Sequence, residues 1–203
     1  MSLYVPPAFA CSSPEEARAL IHTWPFATLI TTTAGEPHIT HLPLLLEGDV
    51  LTGHMARANP HWQAFATGHT VAVFHGPHAY ITPNWYVNPS REVPTWNYAT
   101  VHVHGAPLLI ESAEEKLRVV DATSTAFEDP NNPWTRAVDD TRLEALLRGI
   151  VAFTLPLARI DAKFKMNQNK TAADRVQVMS QLRASAHPDL IVMADWMQQH
   201  ERP

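Results

Sequence analysis

The sequence carries little charge and no excess of positive charge. Asp, Glu, Lys and Arg make up 17% of its 203 residues, and the formal net charge is −5 with histidine neutral. In soluble domains, charged residues usually make up about a quarter of the sequence. Because no basic field attracts nucleic acid phosphates or anionic lipids, direct DNA binding is doubtful and a membrane is not an expected partner.

Cysteine and long apolar runs are also scarce. Cys11 is the single cysteine, which excludes an internal disulfide framework and a thiolate metal cluster within one chain. No run approaches the ~18 apolar residues that span a bilayer, and the N-terminus lacks the basic and apolar regions of a signal peptide. We therefore expect a cytoplasmic protein.

Several catalytic and nucleotide-binding motifs are missing. The sequence contains neither G-x-G-x-x-G nor G-x-x-x-x-G-K-[ST], no G-x-S-x-G elbow and no H-E-x-x-H. Any nucleotide must therefore be held by a different scaffold. No residue can be assigned as a catalytic acid, base or nucleophile.

The chain does contain many short β-rich runs. Residues 26–55 predict a three-stranded meander with turns at AGEP and EGD, and residues 70–76 and 78–82 predict further strands. A long strand is predicted near 98–110, and residues 150–166 are also β-like. The pattern predicts an α+β, mainly β fold: a small barrel with peripheral helices.

Helices are predicted around these strands. Ser13 and Ser112 stand as N-caps three residues before Glu16 and Glu115, so both helix starts have capping-box spacing. A short helix follows Asn59-Pro60, another ends at Gly149, and two helices close the chain. Without a linker or repeat, we expect one domain over residues 1–203 with a C-terminal helical extension from about 171 to 203.

Two loops have side chains that suit an anionic ligand. Arg57 and Asn59 lead into a helix start, where backbone N–H groups and a guanidinium can hold a phosphate. The turn KFKMNQNK, at 163–170, combines lysines with amides that can grip a heterocycle. An ordinary helix-entry turn and a solvated basic turn are the alternatives, and both remain open.

Residues 76–105 concentrate aromatic and histidine side chains. Trp85, Trp96 and Tyr98 can offer flat faces to a ligand, or they can form core or subunit-interface packing. His102 and His104 lie two apart on one strand face, a spacing that could direct both at a metal. Because no carboxylate or cysteine accompanies them, we predict no metal site and favour an interface or cofactor-lining role.

Four motifs together resemble one family. GHMARANPHW, AYITPNWY, VPTWNYATVHVHG and KFKMNQNK look like the successive motifs of PaiB-type FMN-binding negative transcriptional regulators. The resemblance implies an FMN-binding split β-barrel of the pyridoxamine-phosphate-oxidase-like type with peripheral helices and two C-terminal helices. It also implies an intertwined homodimer with FMN in clefts between subunits.

The resemblance also implies which residues hold FMN. The phosphate loop maps to Arg57, Ala58 and Asn59, and the strand before it to Thr52, Gly53 and His54. The remaining cofactor-binding candidates are Thr40, His41 and Leu42 at the isoalloxazine edge, Thr100 and His102 on the long strand, and Gln168 and Lys170 in the KFKMNQNK turn. Two places depart from the expected pattern: Thr82 stands where serine is expected in YISP and keeps a hydroxyl, and Met166-Asn167 stand at the start of the expected LSQNK, which loses a hydroxyl.

Three functions follow from the resemblance. The first is a flavin-binding negative transcriptional regulator, and the second is an FMN-dependent oxidoreductase that acts on a small substrate with NAD(P)H. Haem binding or degradation is the third, because related split barrels bind and degrade haem and histidine is a common axial ligand. The last helix carries Asp189, Asp195 and Glu201 against Arg202, which does not suit a DNA recognition helix, so regulation is expected to be indirect.

Overall fold

The computed structural model describes residues 3–201, and Arg202 lies outside this range. Helices within it lie at Pro14–Thr23 (α1), Ala113–Phe127 (α2), Asp140–Arg148 (α3), Ala172–Ala184 (α4) and Pro188–Gln199 (α5). Strands lie at Phe26–Thr32 (β1), Pro37–Pro43 (β2), Leu45–Glu47 (β3), Val50–Ala56 (β4), His69–Ile81 (β5), Thr95–Gly105 (β6), Leu108–Ile110 (β7), Ile150–Pro156 (β8) and Arg159–Lys165 (β9). A short 3₁₀ helix lies at Pro60–Ala66.

The helix starts follow the predicted capping chemistry. The Glu16 N–H donates to Ser13 Oγ at 3.3 Å, and the Glu16 carboxylate in turn accepts from the Ser12 N–H at 2.8 Å. At α2, the Glu115 N–H donates to Ser112 Oγ at 3.4 Å. Both predicted N-caps are therefore confirmed, because each supplies a partner to an N–H that the helix itself leaves unpaired.

The described residues form two compact units. Unit 1 comprises residues 3–20, 75–101 and 161–201, and unit 2 comprises residues 21–74 and 102–160. The expectation of one domain over residues 1–203 stays a prediction. No helix within residues 3–201 combines the length and the apolar character needed to cross a membrane.

Unit 2 contains two antiparallel arrangements of strands. One has the order β2-β1-β5, in which Thr28 lies opposite His41, and the other has the order β3-β4-β8-β7. The alternate residues that face inward are apolar and fully buried, as strand periodicity requires. Leu29, Phe74 and Phe153 are among them, each with 0% of its surface exposed.

Unit 1 combines strands with the closing helices. Its parts of β5, β6 and β9 follow the order β5-β6-β9, and α4 contacts α5. Phe164 of β9, Val178 and Leu182 of α4 and Met193 of α5 belong to its buried residues. The two closing helices and the position of Pro188 at the start of α5 are confirmed.

The prediction of a three-stranded meander over residues 26–55 was wrong, because the second β-rich run divides into two strands. The break falls between Pro43 and Leu45, at Leu44, whose N–H donates to Pro25 O at 2.9 Å. Strand β2 and strand β3 then join different sheets. The turn EGD is confirmed as a tight hairpin, where Gly48 adopts a φ of 55° that suits glycine.

The two other strand boundaries also differ from the prediction. Residues 70–76 and 78–81 belong to one continuous strand, β5, in spite of Pro77, and Thr82 caps the 3₁₀ turn that follows. The predicted strand near 98–110 ends at Gly105 and resumes as β7 at Leu108. Pro107 in the gap has no N–H for a strand ladder, so the interruption has a physical cause.

Candidate cofactor-binding site

Asn59 ties the loop after β4 to strand β2. Its Oδ1 accepts from the His61 N–H at 3.1 Å, and its Nδ2 donates to Thr40 Oγ1 at 2.9 Å. The side chain therefore caps the Pro60–Ala66 helix and bridges to the neighbouring strand at once. Because the His61 N–H already donates to Asn59, fewer N–H groups at this helix start are left to bind a phosphate than the sequence predicts.

His61 extends this contact into a buried chain of polar groups. Its Nδ1 lies 2.7 Å from Thr40 Oγ1, and its Nε2 lies 2.9 Å from Thr31 Oγ1. Thr31 Oγ1 in turn lies 2.8 Å from Thr70 Oγ1. His61 is only 1% exposed, so both ring nitrogens meet protein partners in place of water. We call Asn59, Thr40, His61, Thr31 and Thr70 the polar chain.

The imidazole of His61 is held in the neutral form. Burial, together with the neighbouring His38, lowers the pKa of His61 from its ordinary 6.5 to about 4. The rings of His38 and His61 are stacked with centroids 5.7 Å apart, and Phe65 meets His61 edge-on at 5.5 Å. A neutral imidazole donates from one nitrogen and accepts at the other, which suits a chain of hydroxyl groups.

Arg57 lies in the same loop, but its guanidinium has protein partners. Nε donates to Arg148 O at 2.9 Å, and Nη2 donates to Ile150 O at 3.2 Å. The Arg57 guanidinium also lies 5.7 Å from the Trp62 ring centre. A cation beside the carbonyls at the C-terminal end of α3 is electrostatically favourable. The Ala58 side chain next to it is exposed.

The predicted residues of β2 divide between two environments. His41 is exposed, and its Nδ1 lies 3.1 Å from Thr28 Oγ1. Leu42 is buried with 4% of its surface exposed, so its side chain belongs to the core. Thr40 alone among the three joins the polar chain.

The predicted residues of β4 alternate in the same way. Thr52 and His54 are half-buried, while Gly53 is buried. A Cβ on Gly53 would lie 2.5 Å from Leu44 Cδ2, so close packing alone accounts for glycine here. Burial lowers the pKa of His54 below its ordinary value, which favours a neutral ring at pH 7.

His104 is the most buried histidine of β6. Its Nε2 accepts from Arg159 Nη2 at 2.9 Å, and its Nδ1 lies 3.2 Å from His69 Nε2. Because arginine is always a donor, Nε2 must be the acceptor and a neutral His104 carries its hydrogen on Nδ1. His102 is half-buried on the same face. Among residues 3–201, no three His, Cys, Asp or Glu side chains converge on a common metal position.

The KFKMNQNK turn is largely closed on itself. Gln168 Oε1 accepts from the Met166 N–H at 2.7 Å, and Gln168 Nε2 donates to Phe164 O at 2.5 Å. Asn167 adopts a φ of 63°, and Lys170 Nζ is paired with the Glu92 carboxylate. Gln168 and Lys170 therefore have protein partners. Thr100, the other predicted residue of unit 1, is 7% exposed.

The aromatic segment forms an open cleft in unit 1. The cleft has a volume of about 430 Å³. Its lining is His75, Gly76, His78, Trp96, Tyr98, Ala99 and Thr100. Trp96 is 53% exposed, and its ring centre lies 6.0 Å from that of His78 and 6.1 Å from that of Tyr80. Trp85 lies apart from this lining, half-buried at the end of a 3₁₀ turn.

The main residue that sequence reasoning missed is His61. From the sequence it is only part of the short helix that follows Asn59-Pro60, although in the structure it is the centre of the polar chain. The available signal was its spacing from Ala64 and Phe65, which are buried on the same side of the turn. Lys116 of α2 was missed as well, since it was assigned only to a helix.

The strands, the polar chain and the loop at 57–59 together characterise the fold and its candidate site. They belong to an α+β fold with mostly antiparallel sheets, the fold of FMN-binding split barrels. The chain matches the family model described as "Putative FMN-binding domain" over residues 3–159. The chain therefore belongs to this FMN-binding family, and the PaiB-type resemblance is confirmed.

One relative supports this assignment by sequence, and solved structures share the fold. The protein named protease synthase and sporulation protein PAI 2, from Bacillus subtilis, is 36% identical over 204 residues, which cover 97% of each chain. Among solved structures, the flavocytochrome Anf3 from Azotobacter vinelandii has a TM-score of 0.63 at 18% identity, covering 77% of this chain and 69% of its own. An FAD and haem binding protein from Mycobacterium smegmatis has a TM-score of 0.63 at 18% identity, covering 82% of this chain and 78% of its own.

The donor set around the loop suits the cofactor of this family. FMN ends in a phosphate, which needs cations and N–H donors, and its ring system needs hydrogen-bonding edges and flat neighbours. Arg57 provides the charge, and the polar chain holds Asn59 and Thr40 in fixed positions. The residues present therefore fit FMN.

Proposed function

We propose that this protein is a homodimeric, FMN-binding negative regulator of transcription whose regulatory state depends on bound flavin. The observation that carries the flavin part is the fixed loop, in which Asn59 is bonded to Thr40 and Thr40 contacts His61. A loop that is already ordered loses little conformational freedom when it receives a phosphate. The regulatory part is supported by the Bacillus subtilis relative, whose name refers to protease synthesis and sporulation.

We expect the candidate FMN-binding residues to contribute unequally to FMN binding. The phosphate is held at residues 57–59 and Thr40, while the more accessible candidates His41, Thr52, His54 and His102 line the rest of the flavin. The buried candidates Leu42, Gly53 and Thr100 support the strands behind them.

Lys170 is neutralised by the Glu92 carboxylate, and both amide groups of Gln168 are bonded within its own turn. Arg57 is bonded to backbone carbonyls and not to a carboxylate, so its charge stays available, and we expect it to contribute more binding energy than either. When bound, FMN supplies the redox chemistry, and the chain's own residues bind and orient it.

We propose that regulation acts through a partner protein or the flavin state rather than through direct DNA contact. On α4, the Arg183 guanidinium lies 3.1 Å from the Asp195 carboxylate, and Arg175 lies 3.3 Å from Glu201. Both helix arginines are thus neutralised by carboxylates. DNA-binding surfaces depend on cations that are available to phosphates.

Complementation tests the regulatory proposal. Deletion of the gene should raise transcripts of the controlled genes, and the wild-type chain should restore repression. Arg57→Ala, which we expect to weaken FMN binding, should fail to restore it, while Arg118→Met on the exposed side of α2 should succeed. Full repression by an Arg57→Ala protein that no longer binds FMN would separate regulation from flavin.

The homodimer is supported by exposed aromatic side chains on one sheet face. Tyr80 is 45% exposed and Trp96 is 53% exposed, and they are neighbours. Large aromatic side chains are enriched where subunits meet. Analytical ultracentrifugation should give the mass of two chains, and Trp96→Glu should shift the distribution towards one chain. A monomeric wild-type protein at micromolar concentration would contradict the dimer.

The second candidate is an FMN-dependent oxidoreductase that uses NAD(P)H. The aromatic cleft favours it, since about 430 Å³ lined by Trp96, Tyr98 and His78 suits a small flat substrate. NAD(P)H oxidation by the flavin-loaded protein, followed by absorbance, tests this directly. Turnover that Trp96→Ala abolishes while FMN stays bound and the sedimentation mass stays unchanged supports an enzyme. An FMN-loaded protein that oxidises no NAD(P)H would exclude this candidate.

A further inference from the structure

Unit 2 has a second cleft, distinct in composition from the aromatic one. Its volume is about 510 Å³. The polar side chains in its lining are Arg57, Lys116, Arg148, Glu111 and Glu144, and Ala113 brings the first turn of α2 into the wall. Three of these side chains are cations. We call this space the Lys116 cleft.

Lys116 is the unusual member of the lining. Only 7% of its surface is exposed, although lysine is rarely buried without a partner. Across residues 3–201, no hydrogen bond or ion pair joins its Nζ to another residue; the backbone N–H of Lys116 makes its helix bond to Ser112 O. Its ammonium group is open to the solvent of the cleft, and a largely buried lysine that has no anion beside this group carries an electrostatic cost.

The position of Lys116 on its helix increases that cost. It lies in the first turn of α2, a 15-residue helix, where the N–H groups already give a partial positive charge. Arg57 adds a fixed charge, because its Nε and Nη2 are bonded to Arg148 O and Ile150 O. Positive groups thus converge on the cleft from the loop at 57–59, the end of α3 and the start of α2.

The carboxylates of the lining do not cancel this charge. Glu144 lies 3.5 Å from Arg148, and each of these side chains is 70% exposed, so that pair forms an exposed rim. Glu111 is exposed and precedes the Ser112 N-cap. Neither carboxylate contacts Lys116 Nζ. The Lys116 cleft therefore lacks an anion where its buried cation lies.

We propose that the Lys116 cleft binds a phosphate group, with Lys116 as its principal charged ligand. A phosphate has several acceptor oxygens, which match the three hydrogens of an ammonium group and the N–H groups of a helix start. The phosphate has two possible sources: the phosphate of FMN, because Arg57 belongs to both this cleft and the loop at 57–59, or a separate phosphate compound. The first source rests on the proposed function; the second does not.

Lys116→Met tests the site, because methionine preserves the apolar stem and removes the charge. Arg118→Met is the matched control: it removes the same charge from the same helix, where Arg118 is 68% exposed and paired with Glu114. Affinities for FMN and riboflavin, which lacks the phosphate, are measured by flavin fluorescence. Inorganic phosphate is titrated by calorimetry into the FMN-saturated protein, or into the flavin-free protein if FMN does not bind.

If the phosphate belongs to FMN, Lys116→Met should weaken FMN binding by roughly 10- to 100-fold and leave riboflavin binding unchanged. If it belongs to another compound, FMN affinity should stay constant, and inorganic phosphate should bind the wild-type and Arg118→Met proteins but not Lys116→Met. Lys116→Arg should keep the binding in either case. Unchanged affinities for FMN and phosphate in Lys116→Met would overturn the proposal.

Thermal unfolding of the ligand-free protein separates binding from a structural role. Because the Lys116 ammonium makes no contact that stabilises the fold, Lys116→Met should keep the Tm of the wild type or raise it. A lower Tm for this variant would show that the charge stabilises the fold, and it would also overturn the proposal. Absence of FMN binding in the wild-type protein would instead count against the proposed function, while the phosphate titration would still decide the cleft.

Discussion

His61 Nδ1 lies 2.7 Å from Thr40 Oγ1, and this contact joins the start of the Pro60–Ala66 helix to strand β2. The same hydroxyl accepts from Asn59 Nδ2 at 2.9 Å. Thr40 is therefore the point at which the loop at 57–59, strand β2 and the buried imidazole meet. Order in the loop depends on this hydroxyl.

Thr40→Val should reveal that dependence. The substitution keeps the shape but leaves Asn59 Nδ2 and His61 Nδ1 without their partner, so we expect a loss of about 1–3 kcal/mol in the free energy of unfolding. FMN affinity should fall as well, since the loop becomes less ordered. Urea unfolding and a flavin titration measure both.

The matched control for that prediction is Thr28→Val. Thr28 Oγ1 also contacts a histidine, but its partner His41 is exposed and can bond to water. We expect a cost within about 0.5 kcal/mol. Equal losses of unfolding free energy in the two variants would mean that the hydrogen bonds of the polar chain stabilise the fold no more than the Thr28–His41 contact does.

The low pKa of His61 predicts a pH dependence of stability. In the unfolded chain His61 binds a proton at about pH 6.5, whereas in the folded protein it does so only near pH 4. The unfolded state therefore binds more protons in this window, and stability falls as pH drops from 6.5 towards 4. The full effect is up to about 3 kcal/mol.

His61→Gln isolates this effect, because glutamine can still form hydrogen bonds but does not titrate. The variant should be less stable than the wild type at pH 7, and the difference between them should shrink as the pH approaches 4. His54, whose pKa is also lowered by burial, titrates in both proteins and cancels in the comparison. A constant difference across the pH range would show that His61 is not held neutral.

Arg57→Ala should weaken FMN binding by about 1.5–3 kcal/mol, the range for a charged hydrogen bond. It should also lower stability by about 1 kcal/mol, because the bonds to Arg148 O and Ile150 O are lost. Arg57→Lys separates the two effects: it keeps the charge near the phosphate but cannot reproduce both carbonyl bonds. If Arg57→Ala binds FMN as tightly as the wild type, Arg57 does not belong to the flavin site.

Cys11 should react slowly with alkylating agents. Burial, assisted by the nearby Glu16 carboxylate, raises its thiol pKa to about 11, and the thiol donates to Ser13 O at 3.1 Å. At pH 8 its reaction with iodoacetamide should be on the order of 100-fold slower than that of free cysteine. Glu16→Gln should increase the rate, and a wild-type rate equal to free cysteine would contradict the burial of the thiol.

Local sequence signals predicted the helices better than the strands. Ser13 and Ser112 identified two helix starts because a cap acts within one turn of chain. The division of the second β-rich run at Leu44 could not be read in the same way, since β2 and β3 join different sheets through long-range pairing. Pro107 gave a local signal for the end of β6 that the alternating pattern concealed.

The contacts of the candidate site could not be predicted locally either, because they join residues that are distant in the sequence. The resemblance directed attention to Arg57 and Asn59, but the bond from Asn59 to Thr40 crosses 19 residues of sequence. The role of His61 depends on contacts with Thr40 and Thr31 that only the folded sheet creates. Burial of Lys116 was equally invisible, because a lysine in the first turn of a helix usually faces solvent.

The most direct test of the central claim is a titration of flavin-free wild-type protein with FMN, followed by flavin fluorescence and by the visible absorption bands. The account predicts saturable binding of FMN and clearly weaker binding of riboflavin, because the phosphate is held by the ordered loop at 57–59. A signal that rises linearly without saturation, or equal affinity for FMN and riboflavin, would contradict it.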